Sequence, residues 1–339
     1  MEIRKLQLTG GSSLAITLPK KWVDHFGLKS KDTVVIYSQK SGSLIIQPAY
    51  YKEQLRKTVL KIDGLTKDMF TRELIAHYIS GSDEITISGQ RITHDQRNKI
   101  REVSHSFIGY EIIDESSEEI FIKNIFDATK FPIIQNVEKM FVVAKSMFND
   151  AIKTMAQNNK PLARDVIDRD FEIDKLHLAI MRQFHALIQS RVFDEEIGLS
   201  QVDLNYYENV ATQLERIADH AVKIAKTVVT ADKKLENLVS SHIKNIAKKV
   251  LPLLEYSEEM VKKLDKILAH KILNKNPEIE SILSVDKAVK SFEEIIVVDS
   301  LDRLRGYVMN MAEITINQAI AKKGGNRITL ESNPTRHPI

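Results

Sequence analysis

Two pairs of acids have the spacing of a metal site. Asp170 and Asp174 lie four residues apart, as do Glu215 and Asp219; His177 follows the first pair by three residues, and His220 adjoins the second. On a helix, this spacing puts both members of a pair on one face. If the two faces meet, four carboxylates converge. Like charges that close repel and lose hydration unless a cation joins them. Such oxygen clusters suit hard ions: iron, manganese, magnesium and zinc all fit, and a histidine nitrogen would favour a transition metal. Helical bundles build carboxylate sites of this kind from facing helices. The plainer account is a pair of solvated helix faces, with Lys175 and Arg216 forming ordinary surface ion pairs of little energy. The histidines fit surface or core-edge positions equally well.

A second set of residues suits phosphate contact. In GSSLAITLPKKW (11–22), Leu14, Ile16 and Leu18 alternate with Ala15 and Thr17, the period of a half-buried strand. Pro19 ends that strand or opens a helix, and Lys20 and Lys21 place two charges at the turn. Residues 1–48 hold seven Lys and Arg against three acids, whereas the whole chain is only +3. The basic excess therefore sits in this small unit, which is where nucleic-acid binding is expected.

The elements that must carry these residues change in kind along the chain. Eight of the twelve glycines precede residue 110 and none lies between 110 and 197, so strand-and-turn chemistry gives way to long helices. Residues 1–48 read as strands Ile3–Leu8 and Leu14–Leu18, a helix Pro19–Phe26 ended by Gly27, and a hairpin of Thr33–Tyr37 and Leu44–Gln47 closed by Pro48. A unit this small buries little apolar surface alone and calls for a partner. Residues 49–130 read as an α/β domain: strands Thr58–Ile62 and Glu84–Ser88, helices Asp68–Ile79 and Thr93–Phe107, and a hairpin of Tyr110–Ile113 with Glu119–Ile122. No catalytic constellation lies in it. Residues 131–323 are helical, with a period near 3.6 in Val137, Phe141, Ala144, Met147, Phe148, Ala151 and Met155. Breaks are expected at Pro161, Gly198, Thr230–Lys234 and Pro277, a kink at Pro252, and disorder over 324–339.

Composition excludes several classes. The chain is 43% hydrophobic and 28% charged over 339 residues, which suits two or three globular domains. The absence of cysteine excludes disulfides, thiolate nucleophiles and Cys-based zinc sites, and fits the cytoplasm. No apolar run is long enough to span a bilayer, and no signal peptide is seen. A metal-dependent hydrolase is disfavoured, because no nucleophile–base pair or phosphate-cradling glycine loop accompanies the acids. The chain is read as a non-enzyme.

An internal repeat aligns LERIADHAVKIAK (214–226) with LDRLRGYVMNMAE (301–313), and more weakly VIDRDFEID (166–174) with ILSVDKAVK (282–290). Only 16 residues separate Asp286 from Asp302, too few for two long antiparallel helices, so the second copy is shortened or runs as one helix.

VIDRDFEIDKL (166–176) and LERIADHAVKIA (214–225) resemble the two motif helices of the PhoU family of phosphate-uptake regulators, with Asp170, Asp174, Glu215 and Asp219 at the motif acids. The resemblance implies tandem three-helix bundles, a multinuclear metal cluster on those acids, and an adaptor that restrains a phosphate-transporter ATPase or a sensor kinase. The second repeat departs from the pattern, with Lys290 and Gly306 where acids belong, so it implies no second cluster. RKLQLTGGSSLAITLPKKWVDHFGLKSKDTVVIY (4–37) resembles the AbrB/MazE swapped-hairpin family, except that Lys31-Asp32 fills its last turn without a glycine. That likeness implies a dimeric β barrel of interlocked hairpins, with DNA contacted by Arg4, Lys5, Lys20 and Lys21. The combined expectation is a cytoplasmic homodimer: a swapped-hairpin DNA-binding domain, an α/β domain and a PhoU-like all-α bundle.

Overall fold

The computed structural model describes residues 2–38, 42–49, 55–125, 127, 130–190, 198–231, 241–283 and 291–325. Its contacts divide the chain into two units, 1–55 and 56–339.

In the first unit β1 (Gln7–Thr9) pairs antiparallel with β2 (Ser13–Ala15), α1 spans Lys20–His25, and β3 (Val34–Ser38) pairs antiparallel with β4 (Leu44–Pro48). These are two separate two-stranded ribbons; the described residues form no closed sheet. The first two strands are shorter than the expected Ile3–Leu8 and Leu14–Leu18, while the second hairpin falls where its β-branched runs place it. Pro19 precedes α1 at its cap, and Gly27 follows with φ +62°, a conformation that suits glycine. No described residue of this unit is buried. Leu8 and Leu14 face each other across the ribbon yet are 71% and 63% exposed, and Leu6 and Ile16 are exposed as well.

The second unit has two cores. The α/β part is a four-stranded sheet ordered β5-β6-β8-β7, from β5 (Lys57–Lys61), β6 (Glu84–Ser88), β7 (Tyr110–Glu115) and β8 (Glu119–Asn124). The β5–β6 pair is parallel and the other two pairs are antiparallel. Helices α2 (Lys67–Ile79) and α3 (His94–His105) begin at Thr66 and Thr93, whose hydroxyls accept from the backbone N–H groups of Met69 and Gln96. The alternate residues Leu60, Ile85, Ile87, Ile120 and Ile122 pack with Phe70, Leu74, Tyr78, Ile100 and Val103.

The helical part follows from the apolar stripes. Its first three helices are α4 (Ile133–Gln157), α5 (Lys160–Ser190) and α6 (Gln201–Thr230). Then come α7 (Ser241–Lys263), α8 (Lys266–Asn274), α9 (Asn276–Leu283) and α10 (Phe292–Gly325). The helix break falls at Asn158, in the left-handed conformation at φ +49°, so that Pro161 sits in the first turn of α5, where its missing N–H costs nothing. Pro252 lies inside α7. Phe141, Met147, Phe148, Ile173, Ile180, Leu214, Ile217, Ile224, Leu301 and Leu304 share one continuous core.

The internal repeat has a packing consequence. Its helices α6 and α10 lie antiparallel against each other: Tyr206 bonds Thr315 at 2.9 Å, the Asn310 amide donates to Gln213 at 3.1 Å, and Lys223 pairs with Asp299 at 2.8 Å. Along these contacts α6 numbers rise as α10 numbers fall. The segment 301–313 of the second copy lies in α10, and Ile282 and Leu283 end α9; Asp286 and Lys290 lie outside the described residues, as does most of the 324–339 tail.

One side chain ties the two cores together. Arg182 of α5 is 3% exposed, donates to the Tyr78 carbonyl at 2.6 Å, and lies 3.5 Å from the Asp83 carboxylate. Its guanidinium stacks over the Tyr78 and Tyr110 rings, 5.1 and 5.3 Å from their centroids.

Candidate carboxylate site and N-terminal basic face

The α5–α6 pair is antiparallel, and it brings the four acids to one region. Glu215 is repelled by Asp219, Asp174 and Asp170, and Asp174 by Asp170 and Asp219. Burial, reinforced by these like charges, pushes Glu215 up to about 7 and Asp174 up to about 6. Asp170 is raised too, by burial and then by Asp219, with Lys226 opposing; its Oδ1 is buried and accepts no hydrogen bond. Asp219 is the exposed member of the set. No Lys or Arg forms an ion pair with any of the four within 4.0 Å among the described residues. As the side chains stand, no three His, Asp or Glu among the described residues close round a common point.

The donor chemistry therefore fits a hard cation: four oxygen-bearing groups on two facing helices, an orphaned buried oxygen, and repulsion that a cation would relieve. Side-chain rotation on the fixed helices would have to complete the shell. The histidines stand apart from it. His177 pairs with the Thr212 hydroxyl at 3.2 Å, and burial, then Arg216, holds it down to about 4. His220 faces the other way, toward Ser300 of α10 at 3.3 Å. Asp302, the second repeat's acid, is held by Arg305 at 2.7 Å, and a Cβ added at Gly306 would meet open space.

Sequence reasoning missed how far this polar seam runs. Beyond His177 and Thr212, Glu208 of α6 is half-buried and raised by burial, with His185 of α5 opposing. Glu208, Thr212, Glu215 and Asp219 recur at helical spacing, a signal present in the sequence but hidden among the ordinary surface acids.

The N-terminal candidates are exposed. Lys20 and Lys21 open α1 and Lys5 precedes β1, whereas Arg4 is engaged by Glu2 at 2.6 Å. Lys31 holds φ +79°, a left-handed conformation at the turn where the swapped-hairpin pattern has its glycine; Lys29 N–H donates to Asp32 across that turn at 2.7 Å.

Comparison with known families matches residues 137–228, which take in α5, most of α4 and α6, and all four acids, to the PhoU domain. This segment is PhoU-like. Residues 7–53 match the family described as "Antidote-toxin recognition MazE, bacterial antitoxin"; Lys20 and Lys21 lie within that match, and Arg4 and Lys5 just before it. Among solved structures, PhoU from Pseudomonas aeruginosa is 16% identical with a TM-score of 0.48, covering 56% of this chain and 96% of that one. The phosphate transport system regulatory protein PhoU from Streptococcus pneumoniae is 18% identical, also at 0.48, covering 56% of this chain and 94% of that one. The curated proteins include no match. No helix among the described residues is long and apolar enough to cross a membrane.

Proposed function

We propose that this protein is a cytoplasmic, homodimeric regulator of phosphate uptake that acts by binding rather than catalysis. In this reading its N-terminal unit pairs with that of a second chain and binds DNA through Lys20 and Lys21, with Lys5 and Arg4 at its flank. The PhoU domain holds a metal cluster of iron, manganese, magnesium or zinc on Asp170, Asp174, Glu215 and Asp219, and serves as sensor or docking module. The metal would supply the positive charge those carboxylates lack. The observation that carries the reading is the coincidence of the PhoU match with four carboxylates that, among the described residues, have no Lys or Arg in an ion pair within 4.0 Å. Pairing of N-terminal units is supported by a ribbon whose apolar side chains are all in solvent.

Two measurements test it. Full-length protein should bind DNA from its own promoter with an affinity that falls steeply with salt, and Lys20→Ala/Lys21→Ala should make the salt slope shallower by roughly one for each phosphate the lysines neutralise. DNA binding without salt dependence, or none at all, would remove the transcription role. Asp174→Ala/Glu215→Ala should strip the metal found in the purified wild-type chain while its circular dichroism stays helical; unchanged metal content would remove the site.

A second reading has a specific observation behind it. The N-terminal match is to a family described by antidote–toxin recognition, a protein contact, and Arg4 is already engaged by Glu2. In this reading the unit only clasps two chains, and the PhoU domain restrains a transporter ATPase or sensor kinase directly.

A further inference from the structure

The outer face of the α/β sheet bears a charge pattern that matches itself. Helices α2 and α3 cover one face; side chains of the other face alternate with the buried ones. The ladder fixes which outer residues stand side by side. Lys57 is opposite Glu84, Glu84 opposite Lys123, and Lys123 opposite Glu111. Read from β5 to β7, this row is plus, minus, plus, minus. The next row is Val59, Thr86, Phe121 and Asp114, followed by Lys61, Ser88 and Glu119.

A row of four alternating charges is inverted by reversal. A second copy rotated by a two-fold axis that runs parallel to the strands between β6 and β8 lays β5 over β7 and β6 over β8. Lys57 then faces Glu111 of the other copy, and Glu84 faces Lys123, so each of the four charges meets its opposite. An axis across the strands would lay every strand over itself and set like on like. Aligned stacking is the ordinary way two sheet faces meet.

Cross-strand ion pairing within one chain also produces such a row, and Lys57 does pair with Glu84 at 2.9 Å. It does not account for the apolar groups set beside the row. Val59 is 63% exposed, and Ile113, the residue bulged out of β7, is 56% exposed. The Phe121 ring is half-buried between them.

We propose that this face binds the same face of a second copy of the chain, across a two-fold axis parallel to the strands. Four strands about 4.8 Å apart and five residues long make a face of roughly 300 Å², well under the ~800 Å² per partner of a standard stable interface. The contact is therefore weak alone and sensitive to salt.

The absence of cysteine makes the test direct. Thr86→Cys, near the axis, gives the full-length chain one thiol, and stacked sheets sit about 10 Å apart, within reach of a short bis-maleimide. The expected result is a covalent dimer at low salt, with a yield that falls about five-fold in 0.5 M salt or on adding Lys57→Glu, since symmetry breaks two pairs at once. Adding Glu111→Lys as well should restore the yield. The melting temperature should fall further in that double variant than in Lys57→Glu alone, because the swap sets like charges side by side at positions 57 and 84 and at 111 and 123. Recovery of crosslinking together with loss of stability is the signature of contact between copies. A yield no higher than that of Glu102→Cys on α3, a yield indifferent to Lys57→Glu, or failure of the swap to restore it in a chain that still melts cooperatively would each overturn the proposal.

Discussion

The N-terminal ribbon and the α5–α6 seam are both unfinished, but in opposite ways. The ribbon leaves Leu6, Leu8, Leu14 and Ile16 in solvent and buries nothing. The seam lies on the helical bundle and leaves Asp170, Asp174 and Glu215 half-buried, with no ion-pairing Lys or Arg among the described residues. One region lacks apolar surface to cover it, and the other has more negative than positive charge beside it. Elsewhere the same fold pairs its charges: Arg182 is enclosed by Asp83, a carbonyl and two tyrosines, and Asp302 is paired with Arg305. Acids at equivalent places in the two repeats thus differ: Asp302 is in an ion pair with an arginine, whereas Glu215 is half-buried and in none among the described residues. Unpaired groups on a scaffold that pairs them elsewhere mark where a partner or ligand belongs.

The comparison breaks most severely if the ribbon needs no partner. Leu14→Asp/Ile16→Asp should weaken self-association of the full chain by more than about a hundred-fold, because each buried side chain of this size is worth roughly 1.5–3 kcal/mol and symmetry doubles the loss. Sedimentation equilibrium measures it, and a wild-type monomer or an unaffected variant would show the ribbon to be complete as it stands.

A smaller effect sharpens the contrast at the seam. Glu215 titrates near 4.5 when unfolded and is pushed up to about 7 by burial and its acidic neighbours. The folded metal-free chain therefore holds this proton more tightly than the unfolded chain. Its stabilising effect is complete below the unfolded value and is lost as pH rises through the folded one. Between pH 5 and 8 the metal-free wild type should lose melting temperature relative to Glu215→Gln, and added divalent metal should cancel the difference. Since His177 is common to both chains, its own titration drops out of the comparison. Parallel pH curves would mean that the carboxylate is already neutralised.

The smallest effect concerns backbone rather than side chains. Lys31 at φ +79° occupies a region that disfavours a Cβ, and Lys31→Gly should stabilise the first unit by about 0.5 kcal/mol after the entropy cost of glycine. Slower hydrogen exchange across residues 28–36 would report it; faster exchange would mean that the lysine side chain holds the turn.

Much of the fold was legible because its signals are local. Glu84–Ser88 is read as a strand and is one, since alternation and flanking turns suffice. Gly27 closes α1 because few residues besides glycine tolerate its conformation. The first hairpin is shorter than the sequence suggests, because alternating Leu14, Ile16 and Leu18 specify a strand face without specifying what pairs with it. Arg182 gave no sign of its role: nothing around it in the chain indicates that Tyr78, Asp83 and Tyr110 will enclose it, because those contacts join residues 72 or more positions apart.

What the sequence determined by itself was periodicity and composition: which stretches are helix or strand, where charge accumulates, and that two acid pairs sit at i, i+4. Tertiary structure decided which faces meet. It brought Asp170, Asp174, Glu215 and Asp219 to one region and turned His220 toward Ser300, gave Asp302 an arginine, and set Lys57, Glu84, Lys123 and Glu111 in one row. The reason is physical: spacing along a chain fixes the face of a single element, but the energy of a charge depends on its surroundings, and only the packing of distant elements supplies them.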